Sequence, residues 1–479
     1  MTIKFGTSGW RAIISDEFTY RNVRIVTQAI ADHLKDTSKV KSQNSTLKVI
    51  VGFDPRFLSP EFARTSAQVL AASGIKVLLC QRDVPTPTVA YEIMRQKLDG
   101  GINFTASHNP SEYNGLKFSS SWGGPALPAT TSDIEKRCQA LIRRYEPIGE
   151  ISLDEGKKRG LIQEIDPRNS YIKRIKELVD LGAIKKARLK VVADVMYGTG
   201  RDYLDTILKE AGCKVKVLHN WRDVLFGGMS PEPALKNLKE MLGIMKAEKY
   251  NLGLGIDGDA DRFGIVDSDG TFIPPNQVLA LLADYLIISR GWGGVVARSV
   301  MTSSFVDAVA NKYGVTVRET PVGFKYISGI LVNEDMIIGG EESGGLTIKG
   351  HVPEKDGILA CLLMAEMVAV RKKNIREILK DLYKEVGTFL SDRINLRVSA
   401  EKMEQLKTGL KNNPPAEIAG LKVKTLVTID GFKFMLEDNS WVGIRLSGTE
   451  PVVRVYVDSN SPAKMAKLKK AAEKLVSGK

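Results

Sequence analysis

Three carboxylates alternate with small residues in Leu254-Gly-Ile-Asp257-Gly-Asp259-Ala-Asp261-Arg262, directly after an apolar run over 252–256. Anions this close repel, so such a loop persists most readily around a divalent cation. An all-oxygen donor set points to Mg²⁺, with Mn²⁺ as a substitute. An EF-hand loop counted from Asp257 would need Gly at its sixth position and Glu at its twelfth. Arg262 and Ser268 stand there, which excludes that reading. A phosphatase with an aspartyl nucleophile also places D-x-D after a strand, but the third carboxylate and Arg262 speak against it. A solvated acidic turn is the plainer alternative.

Three further clusters carry chemistry. In Gly101-Ile-Asn-Phe-Thr105-Ala-Ser107-His108-Asn109-Pro110 a strand runs into a polar turn, with Lys117 following in Asn114-Gly-Leu-Lys117. A serine hydroxyl is a poor nucleophile unless a base takes its proton or a cation stabilises its oxyanion. The hydrolase elbow G-x-S-x-G is absent, since Thr105 and Asn109 flank the serine. The plain alternative is an Asn-Pro turn with His108 as a structural hydrogen-bonder. Gly340-Glu341-Glu342-Ser343-Gly344-Gly345 offers a close backbone approach, with Glu341 and Ser343 suited to sugar hydroxyls. No Walker lysine follows, so this is not a nucleotide P-loop. Gly350-His351-Val-Pro-Glu-Lys355 places Lys355 at the entry to a helix expected over 356–370. In Arg445-Leu-Ser447-Gly448-Thr449-Glu-Pro-Val-Val-Arg454, two guanidiniums and two hydroxyls surround a tight turn, a pattern that binds phosphate. Tyr197-Gly-Thr-Gly-Arg201 is rejected as a dinucleotide loop because Tyr203 occupies the third glycine position.

The elements that must position these residues follow one phrase, repeated. An apolar strand, a helix, a glycine and a β-rich strand recur over 48–79, 190–217 and 294–318. Glycine ends each helix at Gly74, Gly212 and Gly314, and the spacing suits a βαβ crossover. Three copies argue for three related α/β domains containing mixed sheets. The remainder reads as an α+β module with mostly antiparallel strands over 393–398, 422–429, 431–436, 441–446 and 452–457, closed by a helix over 462–476. The Gly-, Pro- and Ser-rich stretch 119–131 reads as a surface loop.

Length and composition agree. The 479 residues, at roughly 150 per domain, allow about three to four domains. With 43% hydrophobic and 26% charged residues, disorder, collagen and coiled coil are excluded as the main architecture. A formal charge of +13 favours anionic partners without choosing among them. The Lys-rich stretches 173–190 and 464–479 read as solvated helix faces, and no aromatic platform for nucleic acid interleaves them. Cys80, Cys138, Cys213 and Cys361 form no C-x-x-C pair, so reduced buried thiols are expected. The first residues lack a signal-peptide stretch. The apolar segment 358–370 carries Glu366 and falls short of the ~20 residues a membrane span needs. Cytoplasm is the expected compartment, with no membrane and no nucleic-acid partner.

Taken in order, Ser107 in Thr-Ala-Ser-His-Asn-Pro, the loop 257–262, Gly340-Glu-Glu-Ser-Gly344 and Arg445-Leu-Ser-Gly-Thr449 closely resemble the α-D-phosphohexomutases. The likeness runs from Gly6-Thr-Ser-Gly-Trp-Arg11 to Arg454. It implies four domains around a central cleft: 1–150 with the serine loop, 151–262 with the metal loop, 263–375 with the sugar loop, and 376–479 with the phosphate site. It implies that Ser107 carries a phosphoryl group and joins Asp257, Asp259 and Asp261 on Mg²⁺. Arg11, Lys117 and Arg262 would stabilise the transferring charge. His108, Lys117 and Lys355 are the candidate acid/base groups. Glu341, Ser343, His351 and Lys355 would contact the sugar, while Arg445, Ser447, Gly448, Thr449 and Arg454 would hold the unreactive phosphate. The implied reaction interconverts hexose 1-phosphate and hexose 6-phosphate through a hexose 1,6-bisphosphate, which also serves as activator, in a monomer or homodimer. The Glu341-Glu342-Ser343 loop and the opening motif look more like the glucose-preferring branches than the glucosamine branch. Phosphomannomutase or dual-specificity action, then phosphoglucosamine mutase, are the alternatives within the family. A metal-dependent sugar phosphatase is the alternative outside it.

Overall fold

The protein was analysed as a computed structural model describing residues 3–37, 46–447 and 451–477. It folds as two compact units. The first contains the chain up to Pro275 together with Leu331–Asn333 and Ser343–Ile375; the second contains Asn276–Ile330, Glu334–Glu342 and the chain from Arg376 onward.

Two mixed sheets build the first unit. In one, the parallel strands Lys48–Phe53, Lys76–Cys80, Gly100–Phe104 and Ile162–Ile165 are continued by the antiparallel strands Tyr113–Ser120 and Trp10–Ile13. Trp10 stacks on Phe18 at 4.4 Å between ring centroids, and Phe18 meets Phe62 edge-on, so the strand bearing Arg11 is anchored in the core. Such aromatic pairs each add about 0.5–1.5 kcal/mol beyond their buried area. In the other sheet, Lys214–Leu218, Lys190–Asp194 and Leu252–Ile256 run parallel, and Phe263–Asp267 and Phe272–Ile273 complete it antiparallel. Ile162–Ile165 thus extends the first sheet beyond the expected line at 150. The hairpin from Leu252 to Asp267 carries the second sheet past the expected line at 262.

The apolar run near 358–370 is the helix Gly357–Arg371, buried from Gly357 to Ala369 and packed on the second sheet. Its Cys361 Sγ lies 3.6 Å from the Gly255 carbonyl. Among the described residues no helix is long and apolar enough to cross a membrane. The three glycines expected to stop helices have positive φ, +79° at Gly74, +76° at Gly212 and +65° at Gly314. The loop expected over 119–131 is shorter, because the strand runs to Ser120 and the helix Pro128–Arg144 begins within it.

The second unit joins the parallel strands Val295–Ser299, Thr316–Thr320 and Met336–Glu341 to an antiparallel C-terminal sheet. That sheet has the order Leu390–Arg397, Val452–Ser459, Trp441–Leu446, Phe432–Leu436, Leu421–Val427, Glu417–Ile418. The helices Ala400–Asn412 and Pro462–Ser477 contribute Leu410, Leu468 and Ala472 to its core. The architecture is therefore three α/β sheets followed by an α+β module. A second, smaller core of Val300, Met301, Trp441 and Tyr456 ties the module to the parallel strands. Lys433 crosses there, donating to the Val300 carbonyl at 2.8 Å with its ammonium 4.5 Å from the Trp441 ring centroid.

Asp458 is buried at the same junction, and its carboxyl is pushed up to about 7, chiefly by desolvation. The unfolded chain ionises this group near 3.8, so between those two values the folded unit holds the extra proton. Stability is then lost as pH rises through that window. Asp458→Asn, which keeps the shape and removes the charge, is expected to raise the thermal midpoint at pH 8 and leave it nearly unchanged at pH 4. Calorimetry at the two pH values checks this.

Candidate active site

The strand Gly100–Phe104 ends against Thr105, whose Oγ1 accepts the Ser107 backbone N–H at 2.8 Å. The chain then turns through Ser107 at φ 54°, a left-handed conformation that costs a residue with a Cβ about 1 kcal/mol. The turn lifts the side chain off the sheet end. Ser107 is 1% exposed; its Oγ donates to Asp257 Oδ2 at 2.8 Å and lies 3.4 Å from His108 Nδ1. The His108 imidazole is pushed well below its ordinary value, first by desolvation and then by Arg262 and Arg11.

The acidic loop leaves the strand Leu252–Ile256 and folds back on itself, with Ala260 at φ 58°. Asp257 Oδ1 accepts the N–H groups of Asp261 and Arg262 at 2.9 and 3.0 Å, leaving Oδ2 for Ser107. Asp259 Oδ2 accepts from Thr86 Oγ1 and Lys117 Nζ, both at 2.6 Å. Asp261 Oδ2 lies 2.8 Å from Lys117 Nζ and 3.1 Å from Lys355 Nζ. All three carboxylates are buried, and one oxygen of each lies within 4.8 Å of the others. Burial raises the Asp257 carboxyl well above its usual range, with Asp259 and Asp261 adding to the effect. Burial opposes ionisation of Asp261 too, yet Lys117, Lys355 and Arg262 hold it below the ordinary value. Lys117 is held above its own value by Asp259 and Asp261 despite its burial.

Two oxygens in this cluster, Asp259 Oδ1 and Asp261 Oδ1, are buried without a hydrogen-bond partner. Orphaned acceptors beside Asp257 and the Ser107 hydroxyl, with no nitrogen or sulfur donor in the set, fit a hard divalent cation. Two glycines let the loops close on one another. A Cβ at Gly258 would lie 2.7 Å from the Ser107 carbonyl oxygen, and one at Gly198 would lie 2.8 Å from the Gly258 carbonyl oxygen. The glycines of Tyr197-Gly-Thr-Gly-Arg201 therefore serve loop packing. Arg201 anchors that turn, donating to the Gly198 carbonyl and to Asp83 Oδ2, both at 2.6 Å.

Other sequence-derived residues of the first unit gather here. Arg11 Nη1 donates to Asn109 Oδ1 at 2.7 Å, and its guanidinium is pushed down by burial and by the nearby charge of Arg262. Arg262 Nε stands 3.9 Å from Asp261 Oδ1. Gly345 gives room to the Lys355 side chain, which a Cβ there would overlap. Ser343 is partly exposed in a turn whose Gly344 carbonyl accepts the Phe263 N–H at 3.1 Å. His351 belongs to the same unit. Its side chain is fully buried, with Nε2 2.7 Å from Asp356 Oδ2, and Asp356 also caps the following helix through the Leu359 N–H and accepts from the Tyr171 hydroxyl.

The remaining sequence-derived residues lie in the second unit. Glu341 is buried and its Oε1 accepts the Gly323 N–H at 2.8 Å. Arg445 and Arg454 are cross-strand partners, and Arg445 Nε donates to Asp430 Oδ2 at 3.0 Å. Ser447 is buried, its N–H donating to the Val452 carbonyl at 2.9 Å. Gly448 and Thr449 lie outside the described residues. Sequence reading missed Asp430, which also accepts the Val322 N–H at 3.0 Å, and Thr86, whose hydroxyl meets Asp259. The only signal for Thr86 is its place at the start of a Pro-flanked helix, Thr86–Gln96.

Comparison with known proteins bears on this arrangement. Models of the phosphoglucomutase/phosphomannomutase domains match in order: α/β/α domain I over residues 2–144, domain II over 169–270, domain III over 274–386 and the C-terminal domain over 394–475. A phosphoglucomutase/phosphomannomutase of Thermococcus kodakarensis is 31% identical over 463 residues, covering 96% of this chain and 95% of its own. A phosphoglucosamine/phosphogalactosamine mutase of Sulfurisphaera tokodaii is 29% identical over 476 residues, covering 99% of both chains. The crystal structure of a candidate phosphomannomutase from Thermus Thermophilus superposes with a TM-score of 0.85 at 34% identity, covering 100% of both chains. With four domain models matched along nearly its whole length, the chain belongs to the phosphoglucomutase/phosphomannomutase family.

Proposed function

We propose that the protein interconverts glucose 1-phosphate and glucose 6-phosphate, and accepts mannose phosphates, through a phosphoserine at Ser107 and a hexose 1,6-bisphosphate. The observation that carries this reading is the Ser107 hydroxyl, 2.8 Å from Asp257 Oδ2 inside a ring of buried carboxylates and cations. A hydroxyl there can carry a phosphoryl group whose charge the surroundings are built to meet. Phosphoryl transfer needs positioning and electrostatic stabilisation more than covalent help. Ser107, Asp257, Asp259 and Asp261 would hold Mg²⁺, which supplies Lewis-acid neutralisation of the transferring oxygens.

The chain's own groups divide the remaining work. The free hydroxyl of a hexose monophosphate attacks the phosphorus on Ser107, the P–Oγ bond breaks, and the hydroxyl proton passes to a base. Arg11 and Arg262 stabilise the equatorial oxygens. Lys117 is held charged between Asp259 and Asp261, which suits charge stabilisation; His108, Lys117 and Lys355 are the candidate proton carriers. The bisphosphate then turns over and returns its other phosphoryl group to Ser107. Glu341 and Ser343 bind sugar hydroxyls, while Arg445, Ser447, Gly448, Thr449 and Arg454 hold the phosphate that is not reacting. The Glu341-Glu342-Ser343 loop favours glucose over glucosamine, and hydroxyls common to glucose and mannose discriminate weakly between those two.

A phosphatase with an aspartyl nucleophile fits less well. Asp257, the first carboxylate after the strand, already uses one oxygen on two backbone amides and the other on Ser107. Enzyme labelled on Ser107 with ³²P-phosphoryl is expected to pass its label to glucose 1-phosphate, and less readily to mannose and glucosamine 1-phosphates. Label appearing only as inorganic phosphate would instead establish hydrolysis.

A further inference from the structure

The turn Asp54-Pro-Arg56 leaves the strand Lys48–Phe53 and carries an arginine that is 0% exposed. All five N–H donors of its guanidinium are used. Nε donates to Asp54 Oδ2 at 3.0 Å; Nη1 donates to the carbonyls of Pro110 at 2.7 Å and Tyr113 at 3.1 Å; Nη2 donates to those of Ser107 at 2.8 Å and Asn109 at 2.7 Å. The Phe226 ring covers the cation at 4.8 Å. Asp54 is itself held, accepting the Arg56 N–H at 3.0 Å and the Ser59 hydroxyl at 2.9 Å.

The Ser107 and Asn109 carbonyls lie between the strands Gly100–Phe104 and Tyr113–Ser120, where no ladder takes them up, and Arg56 supplies donors to both. Ser107 also sits in the left-handed region, which persists only where its surroundings over-determine it. Its carbonyl oxygen is gripped by Arg56 on one side and packed against Gly258 on the other, where even a Cβ would come within 2.7 Å.

We propose that Arg56 is a positioning residue for phosphoryl transfer, clamping the carbonyls of Ser107, Asn109, Pro110 and Tyr113 so that the Ser107 hydroxyl is presented to Asp257. This rests on the reading of Ser107 as the phosphoryl carrier. Only a guanidinium does this work, since a lysine has three donors on one atom and cannot reach four carbonyls set around a plane. Arg56 lies behind the serine loop, with its donors spent on protein, so its effect falls on the transferring oxygen and leaves sugar affinity alone.

Arg56→Lys keeps a cation for Asp54 and removes the fork. It is expected to lower kcat about 10²-fold while KM for glucose 1-phosphate stays within about threefold, as befits a misplaced nucleophile in an intact binding site. Both values are taken per Ser107 that accepts ³²P from glucose 1,6-bisphosphate, which removes misfolded molecules from the count. The rate of that labelling should fall by the same factor as kcat. A parental kcat per labelled site, or a loss explained wholly by fewer labelled sites, overturns the proposal. Should Arg56→Lys fail to fold, Asp54→Asn/Arg56→Met removes both buried charges and is judged by the same two criteria. Parental enzyme that takes no label strikes the serine reading itself; labelled parental enzyme beside an unimpaired variant strikes the clamp alone.

Discussion

Replacing Ser107 with alanine is expected to lower turnover of glucose 1-phosphate by about 10⁴-fold or more, the scale on which removing a covalent nucleophile acts. The variant should also lack the mass increment of one phosphate expected of the parental protein. Unfolding does not explain such a loss. Asp257 would forfeit one hydrogen bond, worth about 1 kcal/mol, and keep the two backbone amides of Asp261 and Arg262. Alanine tolerates the left-handed φ of position 107 no worse than serine does. Arg11, Lys117 and Arg262 remain in place, so phosphosugar binding should survive the change. Steady-state assay, intact-mass measurement and a thermal melt separate these effects. Near-parental turnover in the variant would remove Ser107 from the reaction.

Chelation of divalent cations should cost about 10³-fold in turnover, equivalent to about 4 kcal/mol of charge stabilisation, and added Mg²⁺ should restore it. The protein should nevertheless stay folded in chelator. Lys117 shares its ammonium between Asp259 and Asp261, and Lys355 leans on Asp261, so the trio is partly neutralised by the chain itself. Asp259 Oδ1 and Asp261 Oδ1 are the exceptions, buried and without a hydrogen bond. Circular dichroism unchanged beside lost activity is the expected pair of results. Full activity in chelator would sink the assignment of a cation to these carboxylates.

Much of the candidate site was legible because its chemistry is contiguous in sequence. The alternating carboxylates and the Thr-Ala-Ser-His turn are local patterns directly after apolar strands, and the structure brings them together with Lys117. The glycines at 74, 212 and 314 were equally readable, since a helix stop leaves a mark at one residue. What could not be read depends on chain returning from a distance. Arg56 has no periodic signal, and its partners from Ser107 to Tyr113 become neighbours only when two strands of one sheet pair. The Tyr171 hydroxyl, bonded to the same Asp356 carboxylate as His351, likewise comes from a separate segment. The repeated strand–helix–glycine phrase placed the sheets in the right order but not their edges, because the hairpin strand Phe263–Asp267 looks like any apolar strand until its partner is known.

The helix Gly357–Arg371 bears on how the chain is made. It fills the face of a sheet whose last strand, Phe272–Ile273, leaves the ribosome long before it, with the parallel strands of the second unit synthesised in between. During that interval the nascent sheet lacks the helix that packs on its strands Leu252–Ile256 and Phe263–Asp267. Completion of the earlier unit therefore waits on translation of the later one, and a polypeptide released too soon would present an uncovered apolar face to chaperones.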